Sequence, residues 1–214
     1  MSITLILIVL TALISFSALN NDKIMNDLIF YPPAVTDQKQ WYRFFTSGFL
    51  HADYMHLLFN MYGLYIFGQY VETGFQAIFG QYGRVLYLLM YLSSLFFCLL
   101  PTYSQHRNDG SYRSLGASGA VSAVIFAFIL LNPAVPMGIL FIPVRIPGFL
   151  FGLLFLVISS YLDRRGGGNV NHSAHIWGAL YGIAFLIVFC AVLSDYKPLS
   201  YFIGEVSRTF RGWF

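Results

Sequence analysis

Charge is scarce in this chain: Asp, Glu, Lys and Arg make up 10% of its 214 residues, against about 25% in a soluble globular domain. What charge there is does not cluster. The net charge of +3 is spread over isolated side chains, which argues against a nucleic-acid partner and against a polybasic lipid tether. Cysteine is nearly missing. Cys98 and Cys190 both fall in apolar runs and read as small buried hydrophobes, not as a disulfide or a metal pair. There is no HExxH, and no acid in the histidine clusters completes a plausible ligand set, so neither a metal nor a cofactor is expected. Internal symmetry of the kind that builds many transporters and low-complexity tracts are also missing.

What the chain has in abundance is apolar surface. Hydrophobic residues are 57% of it, with 22 Phe and 15 Tyr, and the mean hydropathy is +0.67. A helix that spans a bilayer needs about 20 mostly apolar residues. Six runs qualify or come near: 3–19, 55–71, 85–103, 115–131, 148–162 and 175–193. The expected fold is therefore all-α, a polytopic bundle of six transmembrane helices in one domain covering 1–214. No Lys or Arg precedes the first run and no small-x-small site follows it, so it reads as a retained helix and not as a cleaved signal. The fourth and fifth runs are short and suit helices buried among neighbours where the bilayer thins. The stretch from Pro136 to Pro147, with three prolines, reads as a connecting loop. Asp163 to Val170 reads as a short charged glycine-rich turn, and the tail from Asp195 as short and mixed.

Polar side chains inside such helices are costly and so point to function. Three groups stand out. His56 and Asn60 are four apart and share a helix face with Gly63, and His51 lies just before them in the loop. Gly116-Ala-Ser118-Gly119 opens the fourth run and sets a hydroxyl beside a helix N-terminus, where free N–H groups and the positive dipole end favour a developing oxyanion. His175, Gly178 and Gly182 share one face of the sixth run, and the two glycines allow a neighbouring backbone to approach closely. Ser118, Ser122 and Ala123 offer a matching narrow face. Taken singly, each group reads as helix packing. Together, the fourth and sixth runs could bring the Ser118 hydroxyl within reach of the His175 ring, the arrangement of a nucleophile and its base.

In order along the chain, HxxxxHxxxN (His51, His56, Asn60), GxSG (Gly116 to Gly119) and AHxxGxxxG (Ala174 to Gly182) resemble the pattern of the rhomboid family of intramembrane serine proteases. Trp41-Tyr-Arg43 resembles the family's Trp-Arg motif in its long first loop, and Glu72 falls where the family carries a Glu after the second helix. The likeness covers nearly the whole chain and is similar to the minimal six-helix bacterial form. It implies an endopeptidase that cuts transmembrane substrates in or near the bilayer, as a multi-pass protein of the bacterial inner membrane. It implies Ser118 as nucleophile and His175 as general base then acid, in a dyad without a carboxylate. His56, Asn60 and the Ser118 N–H would form the oxyanion hole. His51, Gly116, Gly119, Gly178, Gly182, Trp41, Arg43 and Glu72 would have supporting roles. One position departs from the pattern: Ser122 stands where the family usually has an aromatic ring stacked on the histidine. Charge counting puts the larger set of basic residues (Lys23, Lys39, Arg43, Arg107, Arg113, Arg164, Arg165) on the side of the first loop, which the positive-inside tendency would make cytoplasmic. The family orientation puts that loop outside. The competing readings are a rhomboid-like chaperone or adaptor without catalysis, and a small transporter lined by the same histidines.

Overall fold

The computed structural model describes residues 2–138, 144–166, 168 and 170–213. Six long helices make the bundle: α1 (Ile3–Leu19), α5 (Tyr54–Phe79), α6 (Gly83–Phe97), α8 (Ser118–Leu131), α9 (Gly148–Arg165) and α10 (His172–Leu193). Three short helices, α2 (Asp22–Leu28), α3 (Pro32–Gln38) and α4 (Arg43–Thr46), fold the first loop, α7 (Leu100–His106) follows α6, and α11 (Pro198–Arg211) closes the chain. By length and composition, the helical stretches Tyr54–His106 and His172–Leu193 are apolar enough to cross a membrane, while Ile3–Leu19 and Ser118–Leu131 are apolar but shorter.

The centre of the bundle is α8. Every residue from Gly119 to Leu131 except Ile125 is buried, as expected for a helix that is hydrophobic on all sides. It packs against α5, α6, α9 and α10. Around it the core holds Leu64, Val71 and Phe75 of α5, Tyr87 and Met90 of α6, and Leu186 of α10. The outward faces of the ring are apolar too. Leu13, Leu58, Tyr65, Val157, Val188 and Val192 are each more than half exposed, and with their neighbours they form a belt far beyond the apolar patches a water-soluble surface tolerates.

All six apolar runs are helical, but some bounds differ from the sequence reading for identifiable reasons. The second run continues well past Val71, because Glu72 does not meet solvent. Its carboxylate caps the start of α1, accepting from Ser2 Oγ (2.5 Å), Ile3 N (2.9 Å), Thr4 N (3.0 Å) and Thr4 Oγ1 (2.9 Å). The Arg84 guanidinium lies 3.7 Å away. The third run breaks between α6 and α7, because Pro101 has no N–H to continue the ladder and sits instead in the first turn of α7. The fourth run begins at Ser118 and not before, since Gly116 has φ +119°, which excludes helix there. The fifth extends to Arg165, two arginines completing its last turn where cations suit the dipole. The stretch read as a plain loop forms an antiparallel pair, β1 (Pro136–Gly138) with β2 (Arg145–Pro147); residues 139–143 lie outside the described ones. The mixed tail is a helix, α11.

Glu72 is thus a tie between two helices, which gives a measurable expectation. Glu72→Ala leaves the first N–H groups of α1 and the part-buried Ser2 hydroxyl without this acceptor, while Thr4 Oγ1 keeps Tyr87 Oη at 3.0 Å. With hydrogen bonds to charged groups contributing about 1.5–3 kcal/mol each and not additively, unfolding in mixed detergent micelles is expected to show a loss of about 3 kcal/mol. Glu72→Gln is expected to recover part of it.

Candidate active site

Two helices meet closely because glycine lets them. A Cβ built on Gly178 would lie 2.1 Å from the carbonyl oxygen of Gly119, and one on Gly182 would lie 2.2 Å from that of Ala123. So α8 and α10 cross backbone to backbone, with Gly119 and Ala123 as the partners of the two α10 glycines. Gly119 is itself pinned, since a Cβ there would sit 2.4 Å from Cys98 Sγ. This crossing sets the first turns of α8 and α10 side by side, and Ser118 Oγ lies 2.8 Å from His175 Nε2. Among the described residues no carboxylate bonds the His175 ring.

The ring has aromatic neighbours even though Ser122 is no aromatic. Phe155 of α9 lies 6.0 Å from His175 by ring centroids, tilted 34°, and His172 approaches edge-on at 5.8 Å. Sequence reasoning missed Phe155, since nothing in the run 148–162 marks which face of that helix turns inward. It also missed Asn171, whose Oδ1 accepts from Ala174 N (3.0 Å) to cap α10 and whose Nδ2 donates to Thr102 Oγ1 (3.1 Å) and Ser114 Oγ (3.3 Å). One side chain therefore ties α7, the segment before α8 and the first turn of α10. An Asn just ahead of an apolar run is a helix-cap signal and could have revealed the first of these bonds.

The start of α8 is held from three sides. Phe30 and Ser114 exchange N–H···O bonds of 3.0 Å, and Gly116 N donates to Ser47 O at 3.0 Å. His51, fully buried, uses both ring nitrogens. Its Nδ1 meets Ser15 Oγ at 2.8 Å and its Nε2 accepts from Ala117 N at 3.5 Å. Since Nε2 accepts, the proton is on Nδ1. Arg43 holds the first loop, its Nη1 donating to Asn26 O (2.9 Å) and Ile29 O (2.7 Å). Trp41 stacks on the buried Phe44 ring at 5.8 Å.

His51 lies outside the long helices, and its pKa is pushed down to about 3, first by burial and then by the neighbouring His56. A group whose protonation the fold opposes destabilises the fold when it must charge. Stability should therefore fall as pH drops below the ordinary histidine value of 6.5 toward about 3. The difference between the unfolding profiles of the wild type and His51→Gln is expected to slope over that window and be flat above it.

Opposite the Ser118–His175 pair, Asp53 caps α5 through His56 N (2.7 Å), and Asn60 Nδ2 donates to His56 O (2.9 Å). Ala52 N reaches His56 Nδ1 at 3.4 Å, which leaves the ring proton on Nε2. That nitrogen faces Gly116: a Cβ there would lie 3.0 Å from it. Among the described residues no side chain caps α8, which leaves its first N–H groups free to meet a ligand. His56, Asn60, Ser118 and His175 all line one cavity of about 870 Å³ with Asp53, Asp109 and Arg113 at its wall. The structure thus brings together a hydroxyl, an imidazole, further N–H donors and room for a peptide segment. Trp41, Arg43 and Glu72 stand apart from this cavity and act on the folds of the first loop and of α1. Among the described residues, no three His, Cys, Asp or Glu side chains form a metal-holding group.

Comparison with known proteins agrees with this architecture. Residues 38–192 match the Rhomboid domain family, and the chain belongs to the rhomboid family. It is 33% identical over 146 residues to RHOMBOID-like protein 12, mitochondrial, of Arabidopsis thaliana, covering 63% of this chain and 42% of that one. It is 30% identical over 144 residues to Presenilin-associated rhomboid-like protein A, mitochondrial, of Danio rerio, covering 65% and 35%. To Rhomboid protease GlpG of Haemophilus influenzae it is 26% identical over 182 residues, 85% of this chain and 87% of that one. The chain thus spans well under half the length of the first two relatives and most of the bacterial protease.

Proposed function

We propose that this chain is an intramembrane serine endopeptidase, a single domain whose helices α1, α5, α6, α8, α9 and α10 cross a bilayer, in bacteria the inner membrane. The observation that carries this reading is the 2.8 Å contact between Ser118 Oγ and His175 Nε2 at the wall of a cavity that also holds His56 and Asn60. The exposed apolar belt supports immersion in lipid. A 14-residue α8 extends only about 21 Å, short of a hydrocarbon layer of about 30 Å. Its burial within the ring lets it stop there, with its N-terminus below the membrane surface and reachable by water through the charged mouth.

Ser118 Oγ attacks the substrate carbonyl as His175 Nε2 takes its proton. The resulting oxyanion meets the Ser118 N–H, His56 Nε2–H and the Asn60 amide, donors held where charge develops. His175 then gives the proton to the leaving amine, and water entering from the mouth deacylates the serine by the same transfer in reverse. The substrate must unwind locally, because a helix in lipid has every backbone group paired. Transmembrane proteins with small or helix-weakening residues near the cut are the substrates that fit. His51, Arg43 and Trp41 support the first loop and the start of α8, and Glu72 holds α1. A non-catalytic adaptor would leave the serine–imidazole contact without a task.

A fluorophosphonate probe separates these readings. With the full chain in vesicles, the expected result is a single phosphonylated residue, Ser118, with labelling lost in His175→Ala. No adduct at Ser118 in a protein shown to be folded would refute the proposal.

A further inference from the structure

The helix that sequence reading left as a mixed tail is sharply two-faced. At 100° per residue, Leu199, Phe202, Ile203, Val206 and Phe210, with Trp213 just past the end of α11, fall within an arc of about 100°. Arg208 and Arg211 lie across from it, and Ser200 and Ser207 lie outside the arc on the flank beyond Ile203. Only part of the apolar arc meets protein. Phe202 packs on the core cluster, and Phe210 lies 5.6 Å from Phe149 of α9. Leu199, Ile203 and Trp213 remain 48%, 62% and 51% exposed. In water that edge would be costly.

The position of α11 says what covers it. The candidate active site lies at the first turns of α8 and α10. The helix α11 follows the last turn of α10 and packs against α8, α10 and the start of α9, which is the opposite end of the bundle. Val188, Val192 and Leu193, in the last turns of α10 that lead into α11, are exposed and apolar as well. The charge fits a surface of acidic headgroups: Lys197, Arg208, Arg211 and, in β2, Arg145 outnumber Asp195 and Glu205, an excess that the 2.7 Å pair of Glu205 with Arg208 leaves unchanged. A helix with this division of faces, basic on one side and Trp and Phe on the other, lies flat at the acyl–headgroup boundary.

We propose that α11 is an interfacial anchor. Its Leu199–Ile203–Trp213 edge is seated in the outer acyl region of the leaflet remote from the Ser118 cavity, and Lys197, Arg208 and Arg211 hold anionic lipid headgroups. This rests on the membrane reading given above. Immersed on that side, the helix fixes the depth of the ends of α8 and α10 and hence the depth at which the cavity opens.

Single cysteines replacing Ile203, Ser200 and Val188 test the two readings separately. The full chain is spin-labelled in vesicles of phosphatidylcholine with phosphatidylglycerol, and the wild type, whose two cysteines are buried, gives the background. The expected result is that an aqueous nickel reagent reaches the Ile203 label several-fold less than the Ser200 label, while oxygen reaches Ile203 freely. In vesicles without phosphatidylglycerol, or with Arg208→Gln and Arg211→Gln, the contrast is expected to shrink. A lipid-exposed Val188 with equal nickel access at Ile203 and Ser200 overturns the anchor alone. So does shielding of Ile203 from both reagents, which would mean that protein covers it, as in a dimer. Lack of any effect of acidic lipid overturns the headgroup contacts. A Val188 label reached by nickel overturns the membrane reading itself.

Discussion

Ser118→Ala takes cleavage of a reconstituted single-span substrate to background, a fall of about 10⁴-fold or more. His175→Ala does the same, and the double variant is no worse than either single one, because the two side chains act as a unit and their effects do not add. The structural cost is small. Ser118 is only partly buried and among the described residues its side chain bonds only His175, so the Ala variant should unfold as the wild type does. His56→Ala and Asn60→Ala behave differently. Each removes one donor from an oxyanion site that keeps the others, and each is expected to lower the turnover rate by about 10²–10³-fold while leaving probe labelling of Ser118 detectable. Initial-rate assays in vesicles, with the substrate diluted to the same lipid ratio for every variant, read all five. Undiminished cleavage by Ser118→Ala would end the peptidase reading, whatever the geometry of the pair.

How far the sequence alone reaches depends on which physical signal each element leaves. Six apolar runs were legible because lipid and a dry core both demand hydrophobic residues, and α1 begins and ends where its composition says. The spacing of His56 and Asn60, and of His175, Gly178 and Gly182, was legible because a helix turns every 3.6 residues and so converts spacing into a face. What stayed hidden depended on partners far away in the chain. Glu72, a carboxylate just past an apolar run, gives no sign of its partner until α1 supplies the N–H groups that it accepts from. Phe155 stands near His175 only because of how α9 leans on α10, and a run with Phe, Leu and Ile on all sides gives no clue to its inward face. Gly119, and not Ser118 or Ser122, proved to be the point of closest approach to Gly178, since the crossing angle chooses among neighbouring residues. The helix α11 was overlooked for a different reason: its apolar residues follow a clear helical period, but they are too few and too interrupted to pass as a span.

Gly178→Val is expected to lower the cleavage rate by about 10²-fold or more, an effect that acts through distance and not through chemistry. A Cβ at this position would lie 2.1 Å from the Gly119 carbonyl oxygen and 3.1 Å from its Cα. Both are backbone atoms, so no rotamer change relieves the clash and the helices must part by an ångström or more. The dyad lies within one turn of that contact, and a hydrogen bond of 2.8 Å does not survive such a shift. Misplacement of about 1 Å between reacting groups costs on the order of 10²-fold. Overpacking costs about 1–3 kcal/mol of stability besides. The same insertion at Gly182, against Ala123 O at 2.2 Å, strains the crossing one turn further from the serine, so Gly182→Ala should reduce stability comparably but spare more activity. Cleavage rates and unfolding midpoints measured for Gly178→Ala, Gly178→Val and Gly182→Ala therefore separate position from packing. If the Gly178 variants lose stability yet cleave at the wild-type rate, then the crossing of α8 and α10 does not set the Ser118–His175 contact, and another constraint holds the pair together.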